Sequence, residues 1–315
     1  MSKVDEGSAA RRAGRAVLMG PETDKEFMPL GSFEIRRRVL LARLTAALRD
    51  DVQRYIGMPA GRILLKRWLS GKRGARFIER HGLPRHNLEE YLGAPALTLH
   101  IDPRTLIRNV AFLPRKVEKR PSSMAFIWDG HWDLRRDDLR LGSRYRFISD
   151  IDEHRDQLER TERFQELAAC IEQGRPWSSH QKGILLDTPE KIKSYLRVYI
   201  GYLDDMAAKG YVADVTRDDL GVAISREGRI LKINRGLHRL AMAQRLGLPR
   251  VPVRVRAVHR IWWDQITEGA SGQLALERLC QALGQCVAEQ KAGTLDSAPS
   301  DFPSEGFWPL PRRAD

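Results

Sequence analysis

Residues 229–260, RILKINRGLHRLAMAQRLGLPRVPVRVRAVHR, constrain the fold more than any other stretch of this 315-residue chain. RILKI reads as a strand, NRG as a tight turn, LHRLAMAQRL as a helix and VPVRVR as a second strand. Gly247 stops the helix, with Pro249 just beyond. Val251, Val253 and Val255 fall on one face of the last segment and Arg254 and Arg256 on the other, as the two-residue period of a strand requires. Immediately upstream, GVAIS and a turn at Glu227-Gly228 complete a hairpin with RILKI. Together these elements predict an α/β (α+β) domain built on a small mixed β-sheet with packed helices.

The turn carries Gly236, His238 and Arg239 where the helix begins. A helix start exposes unpaired N–H groups at the positive end of the macrodipole. Glycine admits close approach to the backbone, a guanidinium forks onto phosphate oxygens, and an imidazole adds a hydrogen bond or moves a proton. The combination describes an anion site, most naturally for phosphate. The plainer alternative is a tight turn followed by surface side chains.

The succession of hairpin, turn, helix, glycine stop, proline and strand resembles the ParB/sulfiredoxin-like superfamily, over about residues 220–260 and more weakly back to about 120. The turn reads G-C-H-R in sulfiredoxins and G-E-R-R in ParB proteins; here it is Gly236-Leu237-His238-Arg239. The resemblance implies phosphate contacts from Gly236, His238 and Arg239, and a nucleoside triphosphate (ATP or CTP) with Mg²⁺ as ligand. Leu237 stands where sulfiredoxins have their nucleophilic cysteine and ParB proteins a glutamate, and Asn234-Arg235 replace the acidic residue and glycine of many relatives. Some superfamily members are small-molecule kinases, so phosphoryl transfer stays open. The wider pattern also resembles bacterial and phage proteins of unsettled activity that carry G-x-W-D and G-x-H-R-L elements.

A second constellation, IWDGHWD, sets Asp129, His131 and Asp133 at alternating positions. In an extended segment they share a face. Asp129 and Asp133 are then candidate metal ligands for Mg²⁺ over the phosphates, and with His238 candidate catalytic groups. Trp128 and Trp132 can stack on a base or a sugar. The alternative is a polar turn anchored by two packed tryptophans.

Elsewhere the chain is more permissive. The formal net charge of +13 is concentrated early: residues 1–120 hold 25 Lys and Arg against 13 Asp and Glu, and the remainder is nearly balanced. EIRRRVLLARLTAALRD places Ile35, Val39, Leu40, Leu44 and Leu48 on one helical stripe. Arg36, Arg37 and Arg38, with Lys66, Arg67, Lys72 and Arg73 in the next basic segment beside Trp68 and Phe77, form a candidate surface for nucleic acid or another anionic partner. A small helical module with solvated arginines is the competing reading. The expected organisation is a disordered 1–30, a basic helical extension 31–95, the main domain 96–268 with a helical insertion 153–210, a C-terminal helix 269–292 and a flexible tail 293–315. In the insertion, Ile192, Tyr195, Leu196, Tyr199, Leu203 and Met206 face one way, and Asp187 or Thr188 caps the helix. Cys170, Cys280 and Cys286 form no CxxC pair and read as reduced, packed thiols. No apolar run suits a signal peptide or a membrane helix, so a cytoplasmic protein is expected.

Three function classes follow. The first is a phosphate- or nucleotide-binding protein with Mg²⁺-dependent phosphoryl transfer or NTP hydrolysis. The second is a ParB-like nucleic-acid-binding protein using the basic N-terminal region. The third is a non-catalytic scaffold. The oligomeric state stays open, a homodimer included.

Overall fold

The computed structural model describes residues 25–32, 35–114, 116–180, 182–212, 219–233 and 235–296. The chain divides into two compact units, Met1–Arg54 with Phe147–Asp205, and Tyr55–Arg146 with Met206–Asp315.

In the smaller unit, helix α1 spans Arg36–Val52. Further helices of the chain are α2 Met58–Leu69, α3 Ala75–Arg80, α4 Arg85–Leu92 and α5 Ser143–Glu153, followed by α6 Glu162–Glu172 and α7 Pro189–Lys209. Thr161 caps α6 by accepting from the Phe164 N–H, and Thr188 accepts from the Lys191 N–H at the start of α7. The expected α7 stripe is buried from Ile192 to Met206. A 3-10 turn, Lys25–Leu30, sinks Phe27 and Leu30 into this unit, where Phe27 packs against Tyr195 and Tyr199. Disorder expected over 1–30 therefore fails for residues 25–30, because Phe27 and Leu30 find an aromatic floor; residues 1–24 lie outside the described residues. The expected stripe of α1 is only half right. Ile35 and Val39 are buried with Leu185, whereas Leu40, Leu44 and Leu48 are exposed.

Among the described residues the larger unit holds a sheet of eight strands. They are β1 Thr98–Ile101, β2 Arg108–Val110, β3 Ile127–Trp128 and β4 Arg136–Asp138. After β5 Trp177–Ser179 and β6 Ile184–Leu186, which pair in the smaller unit, come β7 Leu220–Ile224, β8 Arg229–Lys232, β9 Val251–His259 and β10 Val287–Ala288. The order is β1-β9-β7-β8-β2-β4, with β3 added beside β9 and β10 beside β8. Directions are mixed: β7 runs parallel to β9 and antiparallel to β8, which is parallel to β2. All five residues of β7 are buried, as a strand covered on both faces must be. The valines of β9 are buried and alternate with half-exposed Pro252, Arg254 and Arg256. That alternation ends at Ala257, beside a register shift between Val222 and Ala223 of β7.

Helix α8, Leu237–Leu246, connects β8 to β9 and lies between Gly236 and Gly247, both left-handed. Helices α9 Arg260–Thr267 and α10 Gln273–Leu283 follow. The C-terminal helix expected over 269–292 is thus shorter: the chain leaves it to pair Val287 and Ala288 with β8. Residues 31–95 do not form one extension. The division falls after Arg54, and residues 55–95 belong to the unit with the sheet. The reason is a shared carboxylate: Glu79 accepts from the Trp68 indole at 2.7 Å and from the Trp263 indole at 3.1 Å. Trp68 and Trp263 are fully buried. Of the tail, residues 297–315 lie outside the described residues, while Asp296 accepts from the Arg136 N–H at 2.6 Å. The cysteines are free, and burial pushes the Cys286 thiol up to about 11. Among the described residues no helix is long and apolar enough to cross a membrane.

Candidate anion-binding site

Strand β8 ends on Lys232, a lysine with no exposed surface that follows the buried Ile230 and Leu231. Its ammonium donates to the carbonyl oxygens of Gly221, Ile233 and Arg235. A buried cation is tolerated only with such a full set of partners. The same bonds tie the turn down onto the sheet. Arg235 and Gly236 then adopt left-handed conformations, φ 73° and 70°. Glycine suits the second of these because a Cβ there is strained. Gly236, at the N-cap position of α8, has no side chain to cap it, and a helix start carries the positive end of the macrodipole.

Arg239, in that first turn, lines a cleft of about 480 Å³ together with Arg250, Arg254, His100 and Tyr211. Its guanidinium lies over the Tyr211 ring, 4.2 Å from the centroid, and donates to the Val212 carbonyl. Arg254 donates to the Ala94 carbonyl at 2.6 Å, and Arg250 is exposed. One carboxylate, Asp219, lies in the wall, and Arg256 engages it at 2.8 Å. Pro95, Leu220, Pro252 and Val253 supply apolar surface. Three guanidinium groups from α8, the α8–β9 turn and β9 thus meet one already engaged carboxylate, in a space of small-ligand size. His238 is half-buried and is not part of this cleft's lining. Leu237 faces a separate cleft of about 220 Å³, with Asp137, Asp138 and Tyr145.

The IWDGHWD segment is built differently from the extended run expected. Gly130, at φ 97°, turns the chain after β3, so residues two apart no longer share a face. Asp133 is fully buried; Asp129 and His131 are exposed. Arg226 forks onto Asp133, Nη2 to Oδ1 at 2.7 Å and Nε to Oδ2 at 3.0 Å, and its own N–H donates to Oδ2 at 2.9 Å. Burial pushes the Asp133 carboxyl up, but the Arg226 hydrogen bonds and the nearby His259 outweigh it and hold the carboxyl below its ordinary range. His259 accepts from the Ile261 N–H on Nδ1, which leaves Nε2 to donate to the Gly130 carbonyl at 3.0 Å. Asp129 meets the Arg260 guanidinium at 3.1 Å. Trp128 and Trp132 pack edge to face with centroids 5.2 Å apart, inside a cluster with Leu231 and Ala257.

The strand register separates the two constellations. Trp128 lies opposite His259 at the end of β9, beside the β7–β8 turn that carries Arg226. Gly236 follows the opposite end of β8, and Pro252 of the arginine cleft lies at the start of β9. At about 3.3 Å per residue the two are roughly 20 Å apart. Asp129 and Asp133, read as catalytic and metal-binding partners of the Gly236 turn, therefore do not reach it, and each carboxylate is taken up by an arginine. Among the described residues no cluster of three His, Cys, Asp or Glu is arranged to hold a metal ion.

Arg36, Arg37 and Arg38 are exposed on α1, and Lys66, Arg67, Lys72 and Arg73 are exposed around the end of α2. The two sets lie in different units. Trp68 is buried and Phe77 stacks on His81 with centroids 4.1 Å apart, so the aromatics read as interleaved with these charges are not a paired stacking platform. Sequence reading missed Lys232, Tyr211, Arg250 and Arg254. Lys232 had a signal, a charge between the apolar Leu231 and Ile233; Arg254 had none beyond its place on the outer face of a strand, and Arg250 none in its turn. The chain matches no family model, no curated protein and no solved structure.

Proposed function

We propose that this protein binds a phosphorylated ligand of the nucleotide class, with the phosphates in the arginine cleft. One observation carries the reading: Arg239, Arg250 and Arg254 line one cleft whose single carboxylate, Asp219, is already engaged by Arg256. Guanidinium forks suit phosphate oxygens, and the apolar wall suits a base or sugar. The turn Gly236-Leu237-His238-Arg239 between hairpin and strand supports placing the chain with ParB/sulfiredoxin-like folds as part of the same proposal. The reading is of binding. Mg²⁺-dependent transfer through Asp129 and Asp133 is not part of it, since their carboxylates are paired with Arg260 and Arg226 some distance away.

Calorimetric titration with ATP, CTP, GTP, ADP and pyrophosphate, with and without Mg²⁺, tests it. The wild type should bind at least one of them in the micromolar range, and Arg239→Ala and the double variant Arg250→Ala/Arg254→Ala should each weaken binding at least tenfold. Absence of heat with every ligand, or affinity unchanged in both variants, overturns the proposal.

A further inference from the structure

Helix α1 turns most of its apolar side chains to solvent. Leu40, Leu41, Leu44, Leu48 and Val52 are all exposed, Leu44 and Leu48 to 67%. At about 100° per residue these five occupy an arc of about 120°. They form one continuous strip, on a helix that buries only Val39. Two charges stand on the same arc, Arg37 at its amino-terminal end and Asp51 at its carboxy-terminal end, both exposed. Neither makes an ion pair among the described residues.

We infer that α1 is a self-association helix, which pairs antiparallel with α1 of a second copy about a two-fold axis at Leu44. The spacing is self-complementary about that residue. Leu44 meets Leu44, Leu40 meets Leu48, and Arg37 meets Asp51 at both ends of the seam. An isologous contact requires this symmetry. A parallel pairing sets Arg37 on Arg37 and Asp51 on Asp51, and the like charges oppose it. The charge pattern also favours a second copy over a lipid surface, where Asp51 on the apolar arc would face anionic headgroups. Arg36, Arg38, Arg43 and Arg49 fall outside the strip and remain on the flanks of the pair.

Sedimentation velocity of the full chain over the micromolar range tests the inference. The wild type should sediment as a dimer and Leu44→Lys, which places two ammonium groups at the axis, as a monomer. Arg37→Asp should weaken the dimer about tenfold by setting like charges together at both ends, and the exchange Arg37→Asp/Asp51→Arg should restore it to within about threefold. These positions are exposed, so circular dichroism of each variant should match the wild type. A monomeric wild type overturns the inference. So does a dimer indifferent to Leu44→Lys, or to both the charge reversal and the exchange. A monomer that cosediments with phosphatidylserine vesicles and loses them in Leu44→Lys assigns the strip to lipid instead.

Discussion

Arg226 and Asp133, 93 residues apart in sequence, form a forked ion pair with a shortest contact of 2.7 Å, and the carboxylate has no exposed surface. Removing the charge from one partner leaves the other poorly solvated. Asp133→Asn should cost about 3 kcal/mol in urea unfolding. The arginine cleft lies roughly 20 Å away by strand register, so ligand affinity of the folded variant should stay within about twofold. The pair also fixes a pH dependence. The folded carboxyl titrates below its ordinary range, so its contribution is complete above about pH 4 and is lost as pH falls towards the lower folded value. The acid limb of the stability curve should flatten in Asp133→Asn.

Glu79 holds two indoles at once. Glu79→Gln presents an amide NH₂ to one of them and should cost about 1–2 kcal/mol. Thermal unfolding followed by tryptophan fluorescence gives both readouts, since Trp68 and Trp263 are 6.3 Å apart around the same side chain.

Gly82 joins the helical layer to β3. Its carbonyl accepts from the N–H groups of Phe126 and Ile127, its φ is 99°, and an added Cβ would stand 2.6 Å from the Ile127 carbonyl oxygen. Gly82→Ala should cost at least about 3 kcal/mol, because backbone must move. Gly236→Ala should cost only about 1 kcal/mol in stability while weakening nucleotide binding more than tenfold, measured by calorimetry on the folded variant.

Lys232→Met keeps the length of the side chain and removes its hydrogen bonds. Three carbonyl groups lose a donor, and chemical denaturation should show a loss of about 2–3 kcal/mol. If the turn positions the ligand, affinity falls with it; if affinity holds while stability drops, the turn is not part of the binding site.

The legible parts of this fold were those whose determinants are local. The valine alternation of β9 follows from a two-residue period, and the limits of α8 from glycines that take left-handed conformations. Parts fixed by distant partners were not legible. Nothing near Trp68 announces Trp263, and nothing in IWDGHWD names Arg226. The misreading of that segment had a local cause: Gly130 is the residue that turns a run otherwise read as extended. For α1 the periodicity put Leu40, Leu44 and Leu48 on one stripe with Ile35 and Val39, but only the last two are buried, against Leu185, because amphipathicity specifies a face and leaves its occupant open. The candidate cleft was visible in the sequence only through Arg239; Arg250 and Arg254 join it only once β9 lies beside β7.

Lys232 has a consequence for the sign of the turn above it. In a trans peptide the carbonyl and the following N–H point in opposite directions. Since the Arg235 carbonyl is drawn inward to the ammonium, the Gly236 N–H is turned outward. A cation sealed beneath the backbone thereby sorts the dipoles of the loop, acceptors below and a donor above. The outer surface of the turn is polarised for an anion by the resting fold, before any ligand arrives to orient it.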